Sequence, residues 1–309
     1  MQTAEKIIIV AGPTASGKSS LALTLAKDLK GVVINADSMQ VYRDIPILAA
    51  TPSKEDMQQV PHKLYGIYDA SVRGNMVGWF NLAKEEINKA RANQQTPIIV
   101  GGTGMYIETL EKGTTPIPET PKEIREEIAE YVKENGLNAL YLELSEVDKE
   151  TAARLSPNDT TRIRRAMEVY KHTKKTMSYW QKQPLKKTFS KKELVRIYIN
   201  PPRDMLDANA RTRFDIMLQQ GAVEEVRALI DRHLSDSLPA MRALGVQELK
   251  SYLTGKTSLE EAVELAKLHT RQYAKRQSTW FNNRYTPDFC YNNCYKEDKN
   301  FVDDIKKVL

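Results

Sequence analysis

Cysteine is almost missing from this chain. Only Cys290 and Cys294 carry thiols among 309 residues, and no second pair or nearby histidine completes a zinc set, the nearest, His269, lying far upstream. They read as two reduced thiols without a role, as is usual in the cytosol. No apolar run approaches the roughly 18 residues that a membrane-spanning helix needs, so no membrane partner is expected. Repeats and low-complexity tracts are lacking too. Met1-Gln2-Thr3-Ala4-Glu5-Lys6 runs straight into Ile7-Ile8-Ile9-Val10 without the charged, apolar and small-residue regions of a signal peptide, which makes the cytoplasm the expected address. Nor is there a large excess of one charge. A net +6 is modest for this length, so any claim of nucleic-acid binding must rest on where the charge sits. With 28% charged and 41% apolar residues, the composition is that of a globular chain with a sizeable core.

What is present is an alternation of strands and helices. Ile7–Val10 reads as a buried strand, Ser19–Leu29 as a helix with Leu21, Ala22, Leu25, Ala26 and Leu29 on one side, and Val32–Ala36 as a second strand ending at Asp37. A helix over Asn81–Ala92 and a strand at Pro97–Val100 follow, the latter running into Gly101-Gly102-Thr103-Gly104. Such alternation predicts an α/β fold with a parallel sheet, whose ligands sit at the carboxyl ends of the strands. Gly12, Asp37 and Thr103 all follow strand ends.

After Gly113–Pro118 the pattern turns helical. Thr120, Pro121 and Glu123 predict an N-cap, first-turn proline and capping-box acid, with Asn135-Gly136 as the stop. Asp148–Leu155 and Thr160–His172 read as further helices joined at Pro157-Asn158-Asp159. Leu194–Ile199 returns as a strand, and helices over Asp204–Gln220, Ala222–His233, Gln247–Leu253 and Ser258–Phe281 complete the chain. The expected organisation is therefore a P-loop NTPase-like core (1–114), a helical insertion domain (115–192), and the rest of the core with a helix-rich C-terminal part (193–309).

Gly12-Pro13-Thr14-Ala15-Ser16-Gly17-Lys18-Ser19 satisfies G-x-x-x-x-G-K-[ST] at every fixed position and lies between an apolar strand and an amphipathic helix, the context this motif requires. Its glycines let successive amides turn inward around a phosphate and the helix N-terminus adds its positive end. Lys18 neutralises outer oxygens, and the Ser19 hydroxyl is the candidate Mg²⁺ ligand. Whether the phosphate belongs to ATP, GTP or another diphosphate ester stays open at this point. No Asn-Lys-x-Asp follows, which disfavours a GTPase. Asp37, Ser38 and Gln40 place a carboxylate and two polar groups beside the loop, and both a metal-bound water ligand and a substrate-binding base fit Asp37.

The charge is unevenly placed. Lys171, Lys174, Lys175, Lys182, Lys186, Lys187, Lys191 and Lys192 follow one another without an acid, with Tyr179 and Trp180 among them and Arg162, Arg164 and Arg165 just before. In the last long helix Lys267, Arg271 and Lys275 recur every four residues and form one face. Two acid-free stretches on a phosphate-binding protein point toward RNA, with phosphate contacts giving salt-sensitive affinity and aromatics stacking an unpaired base.

Five segments together resemble the tRNA dimethylallyltransferases, also called tRNA isopentenyltransferases: residues 12–19; Asn35-Ala36-Asp37-Ser38-Met39-Gln40-Val41-Tyr42; Val100-Gly101-Gly102-Thr103-Gly104-Met105-Tyr106; 156–170, from Ser156-Pro157-Asn158-Asp159 to Val169-Tyr170; and 270–280, which includes Arg271-Gln272-Tyr273-Ala274-Lys275-Arg276-Gln277. They span nearly the whole chain in order. The resemblance implies transfer of a dimethylallyl group from dimethylallyl diphosphate to N6 of the adenosine 3′ of the anticodon, in tRNAs that read codons beginning with U. It also implies that the insertion helps clamp the anticodon stem-loop. Asp37 then matches the general base, Thr103 and Arg213 match groups around the reacting diphosphate and base, and Asp37-Ser38-Met39-Gln40 matches an RNA-contacting segment. Thr103, Arg162, Arg164, Arg165, Lys267, Arg271 and Lys275 are the further candidate tRNA contacts, and a monomer is the expected working form. The chain departs from the family's usual pattern at Ile47–Ser53 and Val72–Val77. A kinase with the same P-loop and a nucleotide-sensing RNA-binding protein without catalysis are the two competing readings.

Overall fold

The computed structural model describes residues 5–309; the part of the signal-peptide reading that falls on residues 1–4 lies outside them. Two compact units emerge, one made of the chain up to 111 with 189–309, the other of 112–188. The sequence places the insertion at 115–192. By Phe189, however, the chain is already buried in the core of the first unit.

The first unit is built on six strands: β1 (Ile7–Ala11), β2 (Gly31–Asn35), β3 (His62–Lys63), β4 (Thr96–Gly101), β5 (Leu194–Ile199) and β6 (Phe289–Tyr291). They lie in the order β3-β2-β4-β1-β5-β6, and every pairing is parallel, with Ile8 opposite Ile98 on one side and Val195 on the other. A parallel sheet is covered on both faces, which is why β1 reads as an unbroken apolar run. The two faces still separate by the period of two. Ile7, Ile9, Val32, Ile34 and Ile99 join one core with Trp79, Phe80 and Ile87, whereas Ile8, Val10, Val33, Ile98 and Val100 join the other with Leu21 and Leu25.

Helices α1 (Lys18–Asp28), α2 (Lys54–Gln59), α3 (Met76–Ala92) and α4 (Gly104–Lys112) belong to the first half of the chain. The second unit holds α5 (Lys122–Val147), α6 (Lys149–Ala152), α7 (Thr160–Thr173) and α8 (Met177–Gln181). Its core gathers Ile128, Leu140, Leu144, Ile163 and Met167. The first unit resumes with α9 (Arg203–Gln219), α10 (Ala222–Ile230), α11 (Val246–Leu253), α12 (Leu259–Arg284) and α13 (Lys299–Lys306).

Capping chemistry sets several of these ends. Asp159 caps α7 by accepting from the Arg162 amide, and Ser258 with Glu261 forms the reciprocal box that opens α12. The box expected at Thr120 and Glu123 does not form: Pro121 is the residue before α5, and the buried Thr120 hydroxyl accepts instead from Arg165 at 2.7 Å. Gly136 does break the helix, at φ 82° and ψ 160°, but helix resumes beyond it.

Candidate functional site

The phosphate loop is shaped by close backbone approaches that exclude side chains. A Cβ on Gly12 would lie 2.8 Å from the Ile199 carbonyl oxygen, and Gly17, at φ +90°, would place one 2.6 Å from that of Tyr295. Ala15 also takes a left-handed conformation, φ 65°, a cost that the surrounding structure must hold in place. The supports are specific. The Tyr295 amide donates to the Ser16 carbonyl at 3.1 Å, and Asn209 Nδ2 donates to that of Ala15 at 3.3 Å. Lys18 Nζ curls back to donate to the Pro13 carbonyl at 3.2 Å. On α9, the Arg213 guanidinium donates to the Thr14 hydroxyl.

The ends of β2 and β4 meet this loop. Asn35 Oδ1 accepts from the Asp37 amide at 2.8 Å while its Nδ2 donates to the Asp37 carbonyl at 3.0 Å, so the carboxylate's backbone is fixed by the residue that ends β2. Asp37 Oδ1 accepts from the Met39 amide at 2.9 Å. Thr103 Oγ1 accepts from the Ser38 amide at 3.0 Å and lies 3.3 Å from the Ser38 hydroxyl. The glycine–threonine turn after β4 thereby clasps the Asp37–Ser38 segment after β2.

Two cavities share this region. One, about 270 Å³, is lined by Ala15–Ser19, Asn209 and Arg213. The other, about 360 Å³, contains Asp37, Ser38, Met39, Arg213, Tyr273 and Arg276 against an apolar wall that includes Leu48, Phe214 and Met217. Arg213 belongs to both. The first suits an anion held by backbone amides and cations; the second suits a flat or branched apolar group with a carboxylate at hand.

Burial pulls the Lys18 ammonium down to about 8, Asp37 working against this and Arg213 with it. Burial also works against the Arg213 charge, and Asp37 partly offsets it. A carboxylate beside the buried Lys18 and the half-buried Arg213 is a charge arrangement short of one or more negative charges, which a bound diphosphate would supply. Burial and then the Asp37 charge push the Tyr273 hydroxyl up, so it remains a protonated donor at neutral pH.

A sequence model of the IPP transferase family matches residues 40–284. The tRNA dimethylallyltransferase of Nitrobacter hamburgensis is 43% identical over 282 residues, covering 91% of this chain and 89% of that one. The solved tRNA isopentenylpyrophosphate transferase of Bacillus halodurans superposes with a TM-score of 0.70 at 33% identity, covering 98% of this chain and 95% of its own. A eukaryotic dimethylallyltransferase acting on tRNA gives a TM-score of 0.78 at 28% identity over 89% of this chain and 69% of its own. The chain belongs to the IPP transferase family.

Within this IPP transferase, the candidate residues are brought together unequally. The phosphate loop, Asp37, Ser38, Met39, Thr103 and Arg213 lie together. Gln40 does not join them: its Nε2 donates to the carbonyls of Ala49 and Ala50 at 3.0 and 2.9 Å, so it holds the divergent 47–53 loop rather than facing the cleft. Glu225 fastens the same loop from α10, accepting from the Ile47 and Leu48 amides at 2.8 and 2.9 Å.

Lys267 is likewise withdrawn from the expected basic row. Its side chain is only 11% exposed and pairs with Asp215 at 2.7 Å and Glu264 at 3.3 Å, acids that reach it through helix packing and the preceding turn. Arg271 and Lys275 are exposed. In the second unit, Arg162 pairs with Asp159 at 2.9 Å and Arg165 with Thr120, while Arg164 Nε is buried without a partner. The Lys175 ammonium sits 4.6 Å from the Tyr179 ring centroid. Sequence reasoning missed the inward side of α12, where Tyr273 and Arg276 line the cavity and Gln277 is buried; the segment that carries the family resemblance contains all three.

Proposed function

We propose that this enzyme transfers the dimethylallyl group of dimethylallyl diphosphate to N6 of the adenosine 3′ of the anticodon, in tRNAs that read codons beginning with U. The convergence of Asp37 with the phosphate-gripping loop and Arg213 carries the reading, and family membership supports it. In the reaction the allylic C–O bond breaks, its electron pair leaves with diphosphate, and the freed carbon bonds to N6. The N6 proton passes to the Asp37 carboxylate. An exocyclic amine is a weak nucleophile, so a base that accepts this proton as the C–N bond forms lowers the barrier. Charge develops mainly on the departing diphosphate, where the loop amides, Lys18 and Arg213 stabilise it. Thr103 keeps the Asp37–Ser38 segment over the loop, and the target base must leave its stack to reach it.

Among the described residues no three His, Cys, Asp or Glu side chains cluster as a metal site. Ser19 lines the anion cavity, and Mg²⁺ prefers few protein ligands together with substrate phosphate oxygens and waters. The site therefore fits Mg²⁺ held by Ser19 and the diphosphate itself, where it would neutralise leaving-group charge. Arg271 and Lys275, with the basic side of α7, are the surfaces proposed for tRNA phosphates. We further infer a monomer acting in the cytoplasm, where its tRNA substrates reside. The deciding experiment is mass spectrometry of nucleosides from an unmodified anticodon stem-loop incubated with the protein, Mg²⁺ and dimethylallyl diphosphate. A prenylated adenosine is expected. Phosphoryl transfer from ATP instead would move the protein among kinases, and tRNA binding with no product would make it a non-catalytic binder.

The Lys18 shift gives this reading a pH signature. The ammonium form, which binds the anion, predominates below about 8. Affinity for dimethylallyl diphosphate should therefore hold below that pH and weaken above it, by close to tenfold per unit, until the raised value of the occupied state is reached. The fold follows the opposite sign. Its Lys18 value lies below the unfolded one, so the burial penalty is present at neutral pH and lifts as pH rises from about 8 towards 10.5. Calorimetric titration across this range checks the binding, and Lys18→Met should flatten the profile.

A further inference from the structure

Gln277 lies on α12 and is buried, at 5% exposure. Both ends of its amide are committed. Oε1 accepts from the Thr14 amide at 2.9 Å, and Nε2 donates to the Gly102 carbonyl at 2.9 Å. One side chain thus ties together two strand-end loops: the phosphate loop after β1 and the glycine–threonine turn after β4. Gly102 is shaped to admit it, since a Cβ there would lie 2.2 Å from Gln277 Nε2.

We propose that Gln277 is a positioning residue for prenyl transfer, setting the phosphate loop relative to the Asp37–Thr103 clasp from the inward side of α12. This rests on the function proposed above. Thr14 passes the constraint into the site, because its hydroxyl accepts from Arg213, the cation common to both cavities. Gly102 passes it to Thr103, whose hydroxyl accepts from the Ser38 amide. The Thr14 amide, a potential phosphate donor, is instead turned toward Gln277. Loss of the amide would free the loop to point that N–H elsewhere and would let Arg213 and Asp37 drift apart. An amide is required because one partner donates and the other accepts. Neither a carboxylate nor a methyl group can answer both.

The test uses the full chain with three readouts: affinity for inorganic diphosphate with Mg²⁺, affinity for the anticodon stem-loop, and steady-state transfer. Gln277→Met keeps the volume and removes both hydrogen bonds. We expect diphosphate affinity and kcat/KM for dimethylallyl diphosphate to fall about 10–100-fold, with stem-loop affinity within twofold of the unaltered protein. Gln277→Glu guards against a variant that merely folds poorly. Its protonated form restores one donor and one acceptor, so its activity relative to the unaltered enzyme should climb as pH falls through the introduced carboxyl's pKa. A flat ratio, or diphosphate affinity of Gln277→Met within twofold, overturns the proposal. Absence of product from the unaltered enzyme overturns the functional reading instead, while the diphosphate titrations still report on Gln277.

Discussion

Replacement of Asp37 by Asn is expected to lower kcat for prenyl transfer by about 10²–10⁴-fold, the range that a positioned general base supplies, with little change in affinity for either substrate. Asn is the informative substitution because of the local hydrogen bonding. Asp37 Oδ1 accepts from the Met39 amide at 2.9 Å, and the backbone of residue 37 is held on both sides by Asn35. An amide oxygen can keep the first bond, and the second pair does not involve the side chain at all. What disappears is the negative charge and the proton acceptor. Removing a negative charge from beside Lys18 and Arg213 does not weaken an anion site, so diphosphate affinity should hold or improve slightly wherever the pH keeps Lys18 protonated. The electrostatics add a marker: Asp37 raises the Lys18 value against its burial, so in Asp37→Asn the fall in diphosphate affinity with rising pH should begin earlier. Single-turnover prenylation of a stem-loop with saturating dimethylallyl diphosphate measures the chemical step directly. Turnover near that of the unaltered enzyme would remove Asp37 from the role of base.

How far the sequence shows this arrangement depends on whether the information is local. The phosphate loop is legible because its motif is written within eight residues and the strand and helix on either side, although Tyr295, Asn209 and Gln277 brace it from distant parts of the chain. Asp37 and Thr103 are legible for a related reason: each follows an apolar strand, and a parallel sheet brings strand ends to one edge. The orientation of α12 is a different matter. A spacing of four identifies Lys267, Arg271 and Lys275 as neighbours, but which helix face meets the cleft is decided by packing on α9. That packing places Asp215 against Lys267 and turns Tyr273 and Gln277 inward. Thr120 shows the same limit, its hydroxyl being taken by Arg165 from elsewhere in the chain. The short strands β3 and β6, of two and three residues, have too few positions to show a period and exist because β2 and β5 offer them a partner. Helix α4 is hidden by Gly101-Gly102-Thr103-Gly104, which reads as a turn, although its last glycine begins a helix. There a Cβ would lie 2.4 Å from the Trp280 ring, so the glycine answers a close approach across the fold rather than a bend.

Gly101→Ala should be the most damaging methyl addition at the strand ends. Its Cβ would lie 2.1 Å from the Ala36 carbonyl oxygen and 2.2 Å from the carbonyl carbon. Those are backbone atoms, and they cannot swing aside: the Ala36 amide donates to the Val100 carbonyl at 2.7 Å, and the Ala36 carbonyl accepts from the Thr103 amide at 3.3 Å. Relief requires β2 and β4 to separate where both are buried, for which about 3 kcal/mol of lost stability, or more, is expected. That corresponds to a thermal midpoint lower by about 5–10 °C. Gly255→Ala provides the comparison. Gly255 has φ +73° with nothing within 4 Å of its Cβ position, so only the left-handed backbone is penalised, at about 1–2 kcal/mol. Calorimetric scans of the two variants separate crowding from backbone strain, and equal midpoints would contradict the close approach of β2 and β4. Function sharpens the contrast. Gly101 sits between the strand that delivers Asp37 and the turn that delivers Thr103, so Gly101→Ala protein that still folds should lose transfer beyond its loss of folded population, whereas Gly255→Ala should lose none.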